Sequence, residues 1–291
     1  MPRCVVAVLL FVWATVAVAP PVPCPRYAAR PQLTGRVPAV LRELSGFAAS
    51  HVHPGVYWAH NDSGNAPALY ALRPDGTIAA TLALRGAKLR DPEDIAVGPC
   101  VAGGSDSCIY LGDIGDNGAR RPSVQILKVE EPDQLADGIL VPAILPFRYA
   151  DGPTNAEALV VDPSTARVFV ITKSLFSLGA VYRVDDLGGR EGGVAVRVRT
   201  LRAPPEFDAP TTGASAHPSG TRLLLRTYTR VWELRSPGAR AFEDVLDADP
   251  IAVPEAPQPQ GEAVSYTRDG RGYLLAGEGV NSPIHRVHCA E

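Results

Sequence analysis

The sequence lacks an excess of charge of either sign. It carries 28 Lys and Arg against 31 Asp and Glu, which gives a formal net charge of −3 over 291 residues. Nucleic-acid binding normally needs a clustered excess of positive charge, so we expect no nucleic-acid partner. The chain is not short of apolar residues either: 46% are hydrophobic and 20% charged, so it can bury a core.

Familiar catalytic and metal-binding motifs are also missing. The chain has no G-x-S-x-G, H-E-x-x-H, P-loop or G-x-G-x-x-G motif, and no C-x-x-C pair of the kind that binds zinc. The acidic turn that begins at Asp113 is not an EF-hand, because Val124 stands where that loop needs a bidentate Glu. A Ser–His nucleophile stays open, since six histidines are present and none is paired by spacing with a particular Ser.

An apolar run is present near the N-terminus. Arg3 precedes an apolar stretch from Val5 to Val18, and Ala17-Val18-Ala19 offers small residues at a cleavage point, as in a secretory signal peptide. We therefore predict a signal peptide over residues 1–19, one mature domain over residues 20–291, and a secreted or periplasmic location. The run is short for a membrane span, so we expect none in the mature chain; an uncleaved anchor is the alternative.

The cysteines agree with export. Signal cleavage would remove Cys4 and leave Cys24, Cys100, Cys108 and Cys289, which can pair in three ways. Cys100 and Cys108 bracket a short Gly/Ser loop, so we predict that they form a local disulfide. Cys24 and Cys289 would then join the two ends of the mature chain. Four free thiols or a metal site are the alternatives.

A three-strand pattern recurs five times along the chain. Each repeat opens with a short strand of small residues, followed by a more apolar strand and a third strand. The repeats begin 48 to 64 residues apart, the length scale of a four-stranded propeller blade. The sequence therefore predicts an all-β fold, a five-bladed β-propeller.

The ends of the chain bear on how the propeller closes. The fifth repeat ends after its third strand, so we expect residues near Leu33 to Val40 to supply its fourth. A six-bladed alternative would need a blade within residues 235–259. That stretch is Pro-rich and poorly patterned, so we expect a long loop there.

The residues that open the five first strands should surround one mouth of the central channel. They are Ser45, Glu93, Glu157, Thr212 and Glu262. Three carboxylates near one axis repel each other unless a cation lies between them, and an all-oxygen ligand set suits Ca²⁺. We predict that this ring binds Ca²⁺. The alternative is a water-filled channel whose carboxylates accept bonds from backbone N–H groups.

Polar turns between the second and third strands should lie on the same face. They supply three candidate catalytic carboxylates that could orient water: Asp62, Asp113 and Asp116. The candidate ligand-binding residues are His60, Asn117, Arg120, Lys173, Arg226 and Tyr228. The alternative is ordinary turn chemistry, which favours Asp, Asn, Ser and Gly. His217, before a Pro-Ser-Gly turn, is expected at the surface.

Two resemblances follow from these motifs. With its Trp-x-His-Asn-Asp-Ser-Gly turn (58–64), Gly-Asp-Ile-Gly-Asp-Asn turn (112–117), Asn-Ala-Glu-Ala strand (155–158) and Gln-Gly-Glu-Ala strand (260–263), the mature chain resembles a group of secreted bacterial β-propellers of uncharacterised function. The ring order Ser, Glu, Glu, Thr, Glu is similar to the central calcium ring of the calcium-activated apyrases. Those are five-bladed and use Ser, Glu, Glu, Ser, Glu, so this resemblance implies a Ca²⁺ site.

These patterns favour a secreted propeller with a central Ca²⁺ that hydrolyses phosphoesters or other small anionic esters. The residues leave open whether the protein is an enzyme. The alternative is a non-catalytic extracellular binding module for a glycan, peptide or envelope component, with a structural ion; a plain scaffold is a third. We expect a monomer whose partner is a small anionic molecule or another extracellular ligand.

Overall fold

The computed structural model describes residues 21–290, which form strands and two short 3₁₀ turns, Ala39–Leu41 and Phe242–Asp247. Strand β1 (Gln32–Arg36) comes first. The first four-stranded unit contains β2 (Leu44–Ala49), β3 (Tyr57–Asn61), β4 (Ala68–Leu72) and β5 (Ile78–Leu84). The second unit contains β6 (Asp94–Pro99), β7 (Ser107–Asp113), β8 (Val124–Glu130) and, after a short β9 (Gly138–Leu140), β10 (Ala143–Tyr149).

The remaining strands build three further units. The third contains β11 (Ala156–Val161), β12 (Val168–Thr172), β13 (Ala180–Asp185) and β14 (Gly193–Thr200). The fourth contains β15 (Thr211–Ala216), β16 (Arg222–Thr227), β17 (Val231–Arg235) and the two-residue β18 (Ile251–Ala252). The fifth contains β19 (Gly261–Tyr266), β20 (Gly272–Gly277) and β21 (Pro283–His288), and β1 completes it.

The five first strands, β2, β6, β11, β15 and β19, contact one another in a closed cycle, each packing on the next. This is a β-propeller, as the recurring pattern predicts. Small residues allow the close approach near the axis: a Cβ on Gly213 would lie 2.5 Å from the carbonyl oxygen of Glu262. Four of the five second strands, β3, β12, β16 and β20, are buried along their whole length, because both faces of each unit are covered.

The N-terminus closes the fifth unit. Strand β1 pairs antiparallel with β21, with Gln32 opposite Arg286 and Arg36 opposite Pro283, so the predicted N-terminal closing strand is confirmed. The disulfides Cys24–Cys289 and Cys100–Cys108 are both present, which confirms the predicted pairing. Disulfides of this kind are typical of oxidising compartments.

A buried carboxylate joins three units inside the channel. Asp94 accepts hydrogen bonds from the backbone N–H groups of Ile95 (2.8 Å), Leu159 (2.8 Å) and Ala214 (3.1 Å). These donors lie on the first strands of the second, third and fourth units. Burial raises the pKa of Asp94 well above its usual value. Asp94 was not among the residues predicted from the sequence to have a special role.

Three further predictions from the sequence concern the loop before the fifth unit, His217 and the N-terminus. Residues 235–259 contain the 3₁₀ turn Phe242–Asp247 as well as β18, so the expected loop carries a minimal fourth strand. The surface position predicted for His217 is wrong: its ring is buried against Tyr266, and its nitrogens bond to Ser219 and the carbonyl of Gly270. The predicted signal peptide lies outside the described residues, within which no helix is long and apolar enough to span a membrane.

Candidate functional site

An acidic cavity of about 90 Å³ lies where the first strands begin. Six carboxylate side chains and one ammonium group contribute to its wall. The polar lining residues are Glu43, Ser45, Asp62, Glu93, Asn117, Glu157, Lys173, Tyr228, Gln260, Glu262 and Glu278. The structure thus brings the three ring glutamates together with Ser45 and with four of the predicted rim residues. We call this space the acidic cavity.

The hydroxyl groups of the ring residues Ser45 and Thr212 donate hydrogen bonds to backbone carbonyl groups. The Ser45 hydroxyl donates to the carbonyl oxygen of Glu93 (2.6 Å), and the Thr212 hydroxyl donates to that of Gly261 (2.8 Å). Each bond ties one unit to the next. Thr212 does not line the acidic cavity. The other four ring residues, Ser45 and the three glutamates, do line it.

Lys173 provides a cation on one side of the acidic cavity. Its Nζ lies 3.0 Å from Oε1 of Glu157 and donates to the hydroxyl oxygen of Tyr228 at 2.7 Å. Burial opposes the ammonium charge, but the bonds to Tyr228 and Glu157 outweigh it and raise the pKa of Lys173. Glu157 is therefore neutralised by the protein itself, a pairing that the sequence analysis did not predict.

On the other side, three carboxylates converge without such a partner. One oxygen each from Asp62, Asp91 and Glu93 lies within 4.8 Å of the others. Burial, followed by the charges of Glu157 and Asp62, raises the pKa of Glu93 to about 10. Burial is also the main cause that raises the pKa of Asp62 and Asp91. We call these three residues the acidic cluster.

Gly115 makes room for the acidic cluster. A Cβ at this position would lie 2.1 Å from Oε1 of Glu93 and 2.5 Å from Oδ2 of Asp91. The backbone N–H of Gly115 also donates to the carbonyl oxygen of Asp91 at 3.0 Å. A glycine here allows carboxylates to crowd together over the backbone, and their all-oxygen donor set fits a hard cation such as Ca²⁺.

Asp113 and Asp116 support the site rather than face the acidic cavity. Asp113 is fully buried and accepts bonds from the N–H groups of Arg90 (3.2 Å) and Asp91 (2.8 Å), from Nη1 of Arg121 (3.0 Å) and from Nε2 of Gln125 (2.7 Å). Both of its oxygens are occupied, and it fixes the segment that carries Asp91.

The Asp116 carboxylate has a similar local role. It accepts a bond from the N–H of Arg121 at 2.7 Å, while its own N–H donates to Oδ1 of Asn155 at 2.6 Å. Of the three predicted catalytic carboxylates, Asp62 is the one that lines the acidic cavity.

A cationic cleft adjoins the acidic cluster. Its volume is about 300 Å³, and its wall consists of Arg90, Asp91, Gly115, Asp116, Asn117, Gly118, Arg120 and Arg121. The Arg121 side chain is buried against Asp113, whereas Arg90 and Arg120 are exposed. Asp91 belongs to both the cleft and the acidic cluster. Asn117 lines both the cleft and the acidic cavity.

His60 and Arg226, predicted on the rim, lie in the interior. Both are 1% exposed, because they belong to second strands, β3 and β16, that are covered on both faces. Burial lowers the pKa of His60 to about 4 and that of Arg226 to about 10. Neither lines the acidic cavity, so the prediction that they contact a ligand there is corrected.

Some residues of the site were not predicted from the sequence. Asp91 stands two positions before the ring residue Glu93, and side chains two apart on an extended chain lie on the same side. That spacing could have revealed it. Glu43 stands two positions before the ring residue Ser45 in the same way, and Glu278 lies in a polar turn that follows a second strand, on the face predicted to bind a ligand.

Comparison with known proteins gives structural likeness alone. No protein-family model matches the chain, and no curated protein matches it. A gluconolactonase from Xanthomonas campestris is similar in structure, at 13% identity and a TM-score of 0.49, over 94% of this chain and 98% of that one. The soluble aldose sugar dehydrogenase from Escherichia coli matches at 10% identity and a TM-score of 0.49, over 90% and 99%. The propeller of Dos1 matches at 12% identity and a TM-score of 0.39, over 83% and 58%.

Proposed function

We propose that this protein is an exported β-propeller hydrolase that binds Ca²⁺ at the acidic cluster and acts on phosphoesters or other small anionic esters. One observation carries the proposal: the acidic cluster and the cationic cleft meet at Asp91. A cation site and an anion site side by side are what a metal-assisted attack on an anionic ester needs. The proposal keeps the ring residue Glu93 from the apyrase resemblance and adds Asp62 and Asp91 as ligands.

The chain's own residues would divide the work. Arg90 and Arg120 hold the anionic group of the substrate in the cleft, as charge-assisted hydrogen-bond donors. Asp62, Asp91 and Glu93 would hold Ca²⁺, which would supply positive charge for an ester oxygen and an attacking water. Asp62 is half-buried, and the carboxylate oxygen that does not hold the ion would accept a proton from the attacking water. Lys173 holds Glu157 in place by its hydrogen bond.

Export is part of the proposal. The two disulfides support a secreted or periplasmic location, because bonds of this kind persist in oxidising compartments. We therefore propose that residues 1–19 are a cleaved signal peptide and that the mature chain acts as a monomer.

The first experiment combines metal analysis with an ester screen. Mature protein is analysed for bound metal, titrated with Ca²⁺ by calorimetry, and assayed on 4-nitrophenyl phosphate, bis(4-nitrophenyl) phosphate and 4-nitrophenyl acetate with and without EDTA. We expect Ca²⁺ binding and EDTA-sensitive turnover. Asp91→Asn and Asp62→Asn should each lower turnover at least about 100-fold, within the range for loss of a general base.

Asp249→Asn is the matched control, since this exposed carboxylate pairs with the exposed Arg202 away from the site. It should behave as wild type. Turnover that is equal in EDTA, or unchanged in Asp91→Asn, would contradict the hydrolase mechanism.

The alternative function, a non-catalytic binding module, has one observation in its favour. The hydroxyl of Ser45 next to the acidic cluster donates to a backbone carbonyl, so it is not a ready nucleophile. Ca²⁺ binding together with the absence of turnover on every ester would support a binding module for a glycan, peptide or envelope component. In that case the ion would stabilise the fold by mass action.

A further inference from the structure

The turn between β12 and β13 carries exposed apolar side chains beside the acidic cavity. It begins with Lys173, whose ammonium group lines the cavity. Two and three residues later, Leu175 is 72% exposed and Phe176 is 88% exposed. Among the described residues these are the two highest exposed fractions of large hydrophobic side chains.

Hydrogen bonds hold this turn in shape. The Ser174 hydroxyl oxygen accepts bonds from the N–H of Phe176 (3.2 Å) and from the hydroxyl of Ser177 (3.1 Å), and the N–H of Gly179 donates to the Ser177 oxygen (3.2 Å). The next apolar residue, Leu178, is fully buried. The turn therefore buries one leucine in the core and presents Leu175 and Phe176 to solvent.

Two further exposed apolar residues, Val40 and Val280, lie close in sequence to the cavity residues Glu43 and Glu278. Val40 and Val280 are exposed, and their segments are joined by bonds from Gly279 N–H to the Arg42 carbonyl (3.0 Å) and from Asn281 N–H to the Val37 carbonyl (3.1 Å). These segments belong to the first and fifth units, neither of which is next to the third unit in the cycle.

The size of the acidic cavity limits what it can hold. Its volume is about 90 Å³. Pockets that enclose whole drug-sized ligands measure roughly 300–1,000 Å³. The acidic cavity alone therefore holds a small charged head, and the adjoining cleft adds about 300 Å³. The rest of a larger substrate lies outside these two spaces, and the turn that carries Leu175 and Phe176 begins at the cavity residue Lys173.

The cleft and the apolar turn are physically connected. Asn155 accepts a bond from the N–H of Asp116 (2.6 Å), donates to Oδ1 of Asn117 (3.3 Å), and accepts a bond at its carbonyl from the N–H of Lys173 (3.0 Å). One residue therefore separates the cationic cleft from the turn. The segment that carries the cleft residues Asp116 and Asn117 is thus bonded through Asn155 to the residue that begins the turn.

We propose that the substrate of this site is a single-chain amphiphile, with an anionic ester head in the cleft and an alkyl or aryl group packed on Leu175 and Phe176. The inference rests on the proposed function, because it takes the anionic head from it. Leu175 and Phe176 act as specificity residues: they contribute to binding of the apolar group and do not touch the acidic cluster.

The test measures the contribution of the apolar group to binding separately from that of the anionic head. Methylphosphonate and octylphosphonate share one head group and contain no ester to hydrolyse, so their binding in the presence of Ca²⁺ can be measured by calorimetry below the micelle concentration. Burial of two methylenes is worth on the order of tenfold in affinity. We expect octylphosphonate to bind wild type at least about tenfold more tightly than methylphosphonate, with most of the gain lost in a Leu175→Ser, Phe176→Ser double variant.

Val101→Ser is the matched control, because Val101 is also exposed but lies in the loop closed by the Cys100–Cys108 disulfide, at the far end of β6. It should keep the full gain. The double variant should keep wild-type affinity for methylphosphonate and for Ca²⁺, which shows that the site is intact.

Each other outcome has a defined meaning. Equal affinity for both phosphonates would overturn the amphiphile proposal and leave the hydrolase proposal standing. No binding of either phosphonate would overturn both. Co-sedimentation with phosphatidylcholine vesicles, or self-association, that the double variant abolishes would assign the turn to a bilayer or to a second copy, and would also overturn the proposal.

Discussion

Asp94 should be a main determinant of stability, because it joins three units of the propeller. Replacement by Ala leaves the buried N–H groups of Leu159 and Ala214 without the acceptor they use now. A buried donor left unsatisfied costs about 1–3 kcal/mol, and the third bond, from Ile95, is lost as well. Removal of a buried carboxyl group recovers part of this cost. We therefore expect Asp94→Ala to lower the free energy of unfolding by about 3–5 kcal/mol.

The assay is urea unfolding and calorimetry on the mature chain in EDTA, so that metal binding does not contribute. For a domain of this size about 1 kcal/mol corresponds to roughly 2 °C, so Tm should fall by roughly 6–10 °C. Asp94→Asn keeps one oxygen as an acceptor and should lose about 1–2 kcal/mol. Hydrogen exchange should show faster exchange at the amides of Leu159 and Ala214.

Asp249→Ala is the control for this series, since an exposed carboxylate away from the channel should change stability by no more than about 0.5 kcal/mol. If Asp94→Ala unfolds within about 1 kcal/mol of wild type, or if exchange at Leu159 and Ala214 is unchanged, the bonds across the channel do not hold the units together.

Three further predictions follow from the site and the closure. Gly115→Ala should weaken Ca²⁺ binding at least about tenfold in calorimetry, because its Cβ would displace the carboxylates of Asp91 and Glu93. Burial raises the pKa of Glu262 to about 8, so the folded state keeps a proton that the unfolded chain releases above about pH 4.5. Stability in EDTA should then fall as pH rises from 5.5 to 7.5, and Glu262→Gln should reduce that fall by about 2–3 kcal/mol in urea unfolding. Replacing Cys24 and Cys289 by Ser should lower stability by about 5 kcal/mol, since that disulfide closes a loop with a sequence separation of 265.

Each of these has its own control and its own contradicting result. Gly238→Ala places a Cβ in open space and should leave Ca²⁺ affinity unchanged; an equal loss there would point to a general effect of the substitution. A stability of wild type that rises with pH over the same range, in EDTA, would contradict the reasoning on Glu262. Replacing Cys100 and Cys108, with a sequence separation of 8, should cost only about 2–3 kcal/mol; a larger loss than at Cys24–Cys289 would refute the closure argument.

The sequence by itself was enough for the architecture. The polar start of each first strand and the apolar second strand recur at blade-length spacing, and local alternation and propensity act within a few residues. The same pattern left one strand missing at the C-terminal end, which implied closure by residues near Leu33. Cys24 and Cys289 could be paired because Cys100 and Cys108 lie so close together. The clustering of the ring glutamates followed from the same repeat.

Tertiary structure alone decided what those carboxylates face. Lys173 reaches Glu157 and Tyr228 across two units, and Asp94 bonds to Ala214 on another unit. A strand pattern fixes which side of its own sheet a residue occupies, but not the angle and distance at which neighbouring sheets meet. For that reason it could not show that His60 and Arg226 are covered by adjacent units, or that Asp62 lies against Asp91 and Glu93 in the acidic cluster. These are contacts between residues far apart in sequence, and packing of the closed ring sets them.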